Sequence, residues 1–323
     1  MGPFPAFLYL FNSSQYICFQ DSMTKRNVKS RVSIQKFLED KASIVMTAPA
    51  VVFMAVMIVF PIGFTLYIMF FRWSGGVINP PQFIGLGNFI NLIKDPRFSN
   101  ALFVTIYITS VGLVLQTVLG TGIALLLNES FVGRKVIRAF LLLPMMATWV
   151  ATALVWRWMM YPRLGVLNFF LEKLGLPTLL WLSANATAVP SIILIDTWQW
   201  TPLIIVIVLA GIQSLPKEPY ESAKIDGAHG WQILFRITLP MLRPVIVTAM
   251  ILRTVDLIKT FDVIMSASQG GPGYSSENLN IYIYNTGLFY FRIGYSGALL
   301  LIYFLIILIV TYTLSKQKGE ISF

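Results

Sequence analysis

The chain is 323 residues long, and 56 % of it is Ala, Val, Ile, Leu, Met, Phe, Trp, Tyr or Cys before its 22 glycines are counted, above the roughly 45–50 % of a soluble domain with glycine included. Charged residues make up 12 % where soluble domains carry about 25 %, which excludes an ordinary soluble globule, a disordered chain and a coiled coil. The formal charge of +10 is explained by basic loops facing anionic lipid and a negative cytoplasm, so nucleic acid is not needed as a partner. With Cys18 and His229 each alone of their kind, no internal disulfide, thiolate metal cage or multi-His zinc site can form, and no metal ligand or catalytic residue is expected.

Within residues 1–22, Phe4 to Phe19 is aromatic and apolar but is broken by Asn12, Ser13, Ser14 and Gln15. They lack the basic n-region and small-residue cleavage site of a secretory signal. Met23 opens a basic leader, MTKRNVKSR, so the first 22 residues read either as dispensable or as an amphipathic surface segment. Val32, Ile34, Phe37 and Leu38 then suggest a short interfacial helix between Arg31 and Ala42.

A helix needs about 20 apolar residues to cross the hydrocarbon, with its backbone polar groups satisfied internally. Six segments meet this: Ser43–Phe71, Ala101–Leu127, Val136–Tyr161, Thr187–Leu215, Val245–Ala267 and Ser296–Leu314. Pro61, Pro144 and Pro202 fall inside spans, where neighbouring helices re-satisfy the freed carbonyls. The expected architecture is an all-α integral membrane protein with six transmembrane helices. It comprises an N-terminal segment 1–42, a membrane domain 43–316 containing the loop 216–244, and a tail 317–323. With both termini placed in the cytoplasm, 15 of the 24 basic residues lie inside, six outside (Arg72, Lys94, Arg97, Arg163, Lys173, Arg292) and three within spans (Arg157, Arg253, Lys259). That is a strong positive-inside bias.

The longest cytoplasmic loop on this plan is SLPKEPYESAKIDGAHGWQILFRITLPMLRPV. Glu218 to Ile225 can form a short helix, Asp226-Gly227 is a turn signal, and a second helical stretch carries Trp231, Ile233, Leu234, Phe235 and Ile237 until Pro240 ends it. Apolar residues this dense in a loop call for a protein partner. His229 reads as a surface residue of the loop.

Glu221-Ser222-Ala223, then Gly227, then Ile237-Thr238-Leu239-Pro240 resemble the EAA loop (E-A-A-x3-G-x9-I-x-L-P) of ABC importer permeases. Ser222 stands where that motif has its second alanine. The flanking YESAKIDGAHGWQ resembles the carbohydrate-importer branch, including maltose and oligosaccharide permeases. The likeness continues through FIGLGNFINLIKDPRFSNAL, LLLPMMATWVATALVWRWMMYPRLGVLNFFLEKLG and FDVIMSASQGGPGYSSENLNIYIYNTGLFYF, covering the chain from about Ala42 onward. The resemblance implies the type I ABC importer permease fold. It also implies that Glu221, Ser222, Ala223, Asp226, Gly227, Ala228, Trp231 and Phe235 form a coupling element seated in a separate ATP-binding subunit. Gly227, lacking a Cβ, allows both the turn and a close approach.

No G-x-x-x-x-G-K-S/T phosphate loop occurs, so the chain is expected to be a non-enzymatic transport subunit that binds no cofactor itself, with ATP and Mg held by partner ATPase subunits. The resemblance implies further partners: a second, non-identical permease, two ATPase subunits, and an extracytoplasmic solute-binding protein received by the loop QGGPGYSSENLNIYIYNTG. It places the chain in a bacterial inner membrane.

Ionisable residues inside a membrane are functional candidates by default, here Arg157, Asp196, Arg253, Asp256, Lys259 and Asp262. In LRTVDLIKTFD, Arg253, Asp256 and Thr260 share one helical face and Lys259 and Asp262 another. They could line a cavity or form i,i+3 ion pairs, Arg253–Asp256 and Lys259–Asp262. Aligned with the larger permease of maltose importers, the resemblance implies a sugar lining of Met145, Trp149, Gln199, Trp200, Leu203, Arg253, Asp256, Leu257 and Thr260. Arg253 could meet the carboxylate of an acidic sugar such as an alginate-type uronide. The rival reading is an ion-coupled secondary sugar symporter using Asp196, Asp256 or Asp262, which leaves the EAA-like loop unexplained.

Overall fold

The computed structural model describes residues 44, 46–74 and 80–321. The expected interfacial helix at Arg31–Ala42 and the segment 1–22 lie outside the described residues. The chain separates into two compact units, Met1–Phe64 and Thr65–Phe323. Helix α1 occupies Met46–Ile68. A two-residue antiparallel ladder, β1 (Phe71–Arg72) with β2 (Gln82–Phe83), follows. The remainder is helical: α2 (Gly87–Ile93), α3 (Pro96–Asn128), α4 (Arg134–Leu142), α5 (Trp149–Met159), α6 (Val166–Lys173), α7 (Asn185–Gln213), α8 (Glu218–Ile225), α9 (Gly230–Ile233), α10 (Leu239–Ile258), α11 (Asp262–Ala267), α12 (Leu279–Tyr284) and α13 (Ile293–Ile321).

Among the described residues, five helical stretches are long and apolar enough to cross a membrane: α1, α3, α7, Gly230–Ile258 and Ile293–Lys316. A sixth apolar stretch is a bent pair, Arg134–Met146 with Trp149–Met159, turning by 101°, the shape of a broken span or a re-entrant loop. The sequence suggested a single helix over Val136–Tyr161. Pro144 instead sits in a 3₁₀ turn, Leu143–Met146, after which Ala147 and Thr148 are extended. Proline has no N–H with which to continue the backbone ladder, and Gln199 Nε2 donates to Ala147 O (3.0 Å) where the chain turns.

Two boundaries around α10 also differ from expectation. Pro240 does not end a helix; it lies in the first turn of α10, which continues from α9 through a π-helical segment Leu234–Thr238, a local rearrangement of the ladder beside a residue that has no N–H to donate. At the other end α10 stops at Ile258, and α11 is a separate helix. The carbonyls freed there are taken by side chains. Tyr303 Oη donates to Ile258 O (3.1 Å), Asn280 Nδ2 to Lys259 O (2.9 Å) and Asn278 Nδ2 to Thr260 O (2.6 Å), so the break is tolerated in an apolar setting.

The long spans are apolar all round, as lipid-embedded helices must be, whereas α4 (RKVIRAFLL) is sharply amphipathic. Helices α3 and α7 pack most closely. A Cβ on Gly120 of α3 would stand 2.6 Å from Ile204 of α7, so the small residue sets the helix separation. Three apolar clusters fill the interior: Val104, Ile108, Ile192, Ile195 and Ile264 in one, Leu92, Tyr282 and Leu299 in a second, and Leu127, Ile204, Val208 and Leu242 in a third.

Candidate functional site

Inside the second unit, α3, α7 and α10 each contribute one polar side chain to a closed triad. Arg253 donates through NH2 to Asp196 Oδ2 (2.5 Å) and through Nε to Gln116 Oε1 (2.7 Å), while Gln116 Nε2 donates to the same Asp196 oxygen (2.7 Å). Arg253 is 1 % exposed and Gln116 0 %. A buried charge is tolerable only when paired and hydrogen-bonded, and here both partners are supplied by other helices. The remaining nitrogen, NH1, lies 3.8 Å from Asp256, whose side chain is 51 % exposed. The face of the guanidinium stands 5.0 Å from the Trp200 ring.

Trp200 meets Trp149 edge to face at 5.7 Å, which ties α7 to the first turn of α5. Gln199 Nε2 donates to Ala147 O (3.0 Å), pinning the bend of the α4–α5 pair, while its buried Oε1 has no hydrogen-bond partner. Of the nine residues expected to line a sugar path, Met145, Trp149, Trp200, Leu203 and Asp256 carry exposed or half-buried surface. Gln199, Arg253, Leu257 and Thr260 are buried in this conformation. The Arg253–Asp256 pair expected within α10 is present at 3.8 Å, outside the triad and longer than its hydrogen bonds. Lys259 and Asp262 form no ion pair among the described residues, because the break after Ile258 puts them on different segments.

The EAA-like loop leaves the opposite end of α10. Helix α8 spans the expected Glu218–Ile225, and Gly227 adopts φ +75°, a left-handed turn that favours glycine. Ala223 is buried, whereas Glu221, Ser222 and Asp226 are exposed and Ala228 half-buried. Tyr220 Oη donates to Thr238 Oγ1 (3.2 Å), tying α8 to the base of α10. Trp231 (73 % exposed) and Phe235 stack at 5.8 Å, and Ile225 is 86 % exposed.

Beyond the far end of α10, the loop 268–278 is anchored by a second ion pair. Arg97 grips Glu277 with Nε (2.6 Å) and NH2 (2.7 Å), and Asn285 Nδ2 donates to Glu277 Oε1 (2.9 Å). Three tyrosine rings, Tyr274, Tyr282 and Tyr290, flank the guanidinium at 4.0–5.2 Å. Asp95, which caps α3, accepts from Tyr282 Oη (2.5 Å) and Tyr295 Oη (2.8 Å). Burial alone would raise its pKa, but the two tyrosine hydroxyls and the Arg97 N–H outweigh it and hold the carboxyl below its ordinary value. Asp95, Arg97, Asn100, Asn185, Tyr274 and Ser275 line a groove of about 560 Å³ here.

Gln116, Arg97, Glu277 and Asp95 were not among the residues singled out from sequence. A glutamine beside Thr117 in the mostly apolar run from Leu113 to Leu119 was the available signal for the first.

Residues 116–316 match the family model described as the binding-protein-dependent transport system inner membrane component. The chain is 33 % identical over 284 residues to the trehalose/maltose transport system permease protein MalF of Thermococcus litoralis, covering 87 % of this chain and 95 % of that one. It is 32 % identical over 269 residues to the sulfoquinovosyl glycerol transport system permease protein SmoG of Agrobacterium fabrum, covering 83 % and 87 %. A chain of a bacterial alginate ABC transporter, crystallised with an alginate pentasaccharide-bound periplasmic protein, superposes with a TM-score of 0.75 at 23 % identity, covering 89 % and 97 %; at that identity the likeness shows the fold. The chain therefore belongs to the binding-protein-dependent transport system inner membrane components, with the type I ABC importer permease fold and with sugar-importer permeases as its relatives.

Proposed function

We propose that this chain is the transmembrane subunit of an ATP-driven importer that moves a sugar or oligosaccharide by alternating access. The observation that carries the reading is the loop 216–244: a short helix, a left-handed glycine turn and an exposed aromatic stack on one end of α10. A large exposed apolar feature with a polar surround is the surface of a docking element. The partners are two ATP-binding subunits, a second homologous permease, and an extracytoplasmic binding protein that approaches the groove beside loop 268–278. Both termini and the EAA-like loop face the cytoplasm, following the basic residues. ATP and Mg belong to the ATPase subunits; this chain carries neither.

Motion reaches the sugar path because α10 continues directly from the loop through the π segment. Displacement of the loop therefore moves Arg253 and Asp256 against α3 and α7. Trp149 and Trp200 offer aromatic faces to pyranose rings and Asp256 offers an acceptor to hydroxyls. Neutral and acidic oligosaccharides both fall within this reading. The test is the ATPase activity of the assembled complex with its binding protein, titrated with a panel of sugars. Stimulation by one sugar and not by amino acids or peptides is expected; hydrolysis indifferent to every sugar contradicts the reading.

A further inference from the structure

Arg138, in the first limb of the bent α4–α5 pair, has Nε and NH2 buried with no hydrogen-bond partner, and it forms no ion pair among the described residues. Arg134 lies one turn before it on the same half-buried face of α4. Lys135 is exposed, as is Glu129, the one acid between Asn128 and Leu142. A guanidinium withdrawn from water without a partner is costly, so an anion is needed to complete this site. One turn further along the same face, Leu141 lines an apolar cavity of about 530 Å³, together with Phe140, Leu119 of α3 and Ile205 of α7. Leu119 and Thr197 also line a second apolar cavity of about 420 Å³ that reaches Thr187. The two form one trough along α7 from Ile205 to Thr187, about 27 Å at 1.5 Å per residue.

We propose that Arg138 and this trough form a binding site for an anionic phospholipid, its phosphate on Arg138 with Arg134 and Lys135 alongside and an acyl chain laid along α3 and α7. The inference does not depend on which solute the transporter moves. Ile205 lies toward the end of α7 from which loop 216–244 leaves, so the lipid belongs to the leaflet on that side. Three cations against one exposed acid give the charge complement of an anionic headgroup. Nε and NH2, the two unpaired nitrogens of Arg138, are the edge with which Arg97 grips Glu277, and that edge takes two phosphate oxygens equally well. The order along α4 matches the order into a leaflet: the basic residues come first, and Phe140 and Leu141, which line the trough, come after them. The trough is longer than the roughly 15 Å half of a hydrocarbon core that one acyl chain fills.

The test is titration of the purified, delipidated transporter complex with dioleoyl phosphatidylglycerol, dioleoyl phosphatidylcholine or inorganic phosphate, read by native mass spectrometry and by the shift in unfolding temperature. Wild type is expected to bind phosphatidylglycerol at least about fivefold more tightly than phosphatidylcholine, the scale of one basic contact to an anionic lipid, and inorganic phosphate should not reproduce the shift. Arg138→Gln should weaken phosphatidylglycerol about tenfold, as for one lost charge-assisted contact, and erase the preference, while Arg138→Lys keeps part of it. Leu119→Trp, which fills the trough and leaves Arg138 in place, should weaken both lipids. Equal binding of the two lipids by wild type, an unchanged affinity in Arg138→Gln, or a shift of the same size with inorganic phosphate overturns the proposal. So does a complex that binds no lipid but comes apart in Arg138→Gln, because a partner subunit then supplies the anion. Should Arg138→Gln fail to fold, Leu119→Trp decides alone, and undiminished phosphatidylglycerol binding there overturns the proposal.

Discussion

Arg253 of α10 and Asp196 of α7 form an ion pair at 2.5 Å in the interior of the helical bundle, 57 residues apart in sequence. Desolvating two charges opposes folding, and their attraction offsets this only because Gln116 completes the hydrogen bonding. The pair fixes which faces of α7 and α10 meet.

Removing one member leaves the other buried and uncompensated. Asp196→Ala is expected to destabilise the protein by about 3–5 kcal/mol, whereas apolar replacement of both members should cost far less. Thermal unfolding of the detergent-solubilised protein checks both; equal losses in the single and double variants would contradict this account of the pair.

The exposed Trp231–Phe235 stack should anchor the ATPase contact. Truncating either to Ala is expected to weaken association by about 2–4 kcal/mol, the range of aromatic hot spots. The chain's own unfolding temperature should not change, because neither ring is packed in its interior. Co-purification with the ATPase subunits, beside far-ultraviolet circular dichroism, separates the two effects.

Gly120 sets the distance between α3 and α7. Gly120→Ala puts a methyl 2.6 Å from Ile204, an overpacking expected to cost about 1–3 kcal/mol. Adding Ile204→Ala should relieve part of that cost relative to the sum of the single changes. A double-mutant cycle on unfolding free energy measures the coupling.

Asp95 and Tyr282 predict a pH window. The Asp95 carboxyl is held below its ordinary 3.8, chiefly by the hydroxyls of Tyr282 and Tyr295 against the opposing effect of burial. A carboxyl depressed on folding contributes stability that is present above its unfolded value and lost as pH falls through the folded one. Burial, reinforced by the bond to Asp95, raises the pKa of Tyr282 above its ordinary 10.0. Its contribution is present below that value and lost as pH rises through the folded one. Stability from this cluster should be level between about pH 4 and 10 and fall on either side. Asp95→Asn should flatten the acid limb in an unfolding-temperature series.

The spans were legible because lipid demands long apolar helices, so α3, α7 and α13 follow from composition alone. Helix α8 and the turn at Gly227 followed from local signals. The bend at Ala147–Thr148 and the break after Ile258 did not. Each depends on side chains distant in sequence, Gln199 in the first case and Asn278, Asn280 and Tyr303 in the second. The charged residues of the interior were visible one by one, but their pairing was not. Local i,i+3 spacing points Arg253 to Asp256, whereas its close partner Asp196 is brought to it by packing of α7 on α10.

The most direct measurement is sugar uptake into proteoliposomes containing this chain with its partner permease, ATPase subunits and binding protein, compared with the chain alone. The account predicts uptake only in the assembled complex and only with ATP on the side of loop 216–244. Accumulation of sugar by this chain alone under a proton or sodium gradient, without ATP, would contradict it.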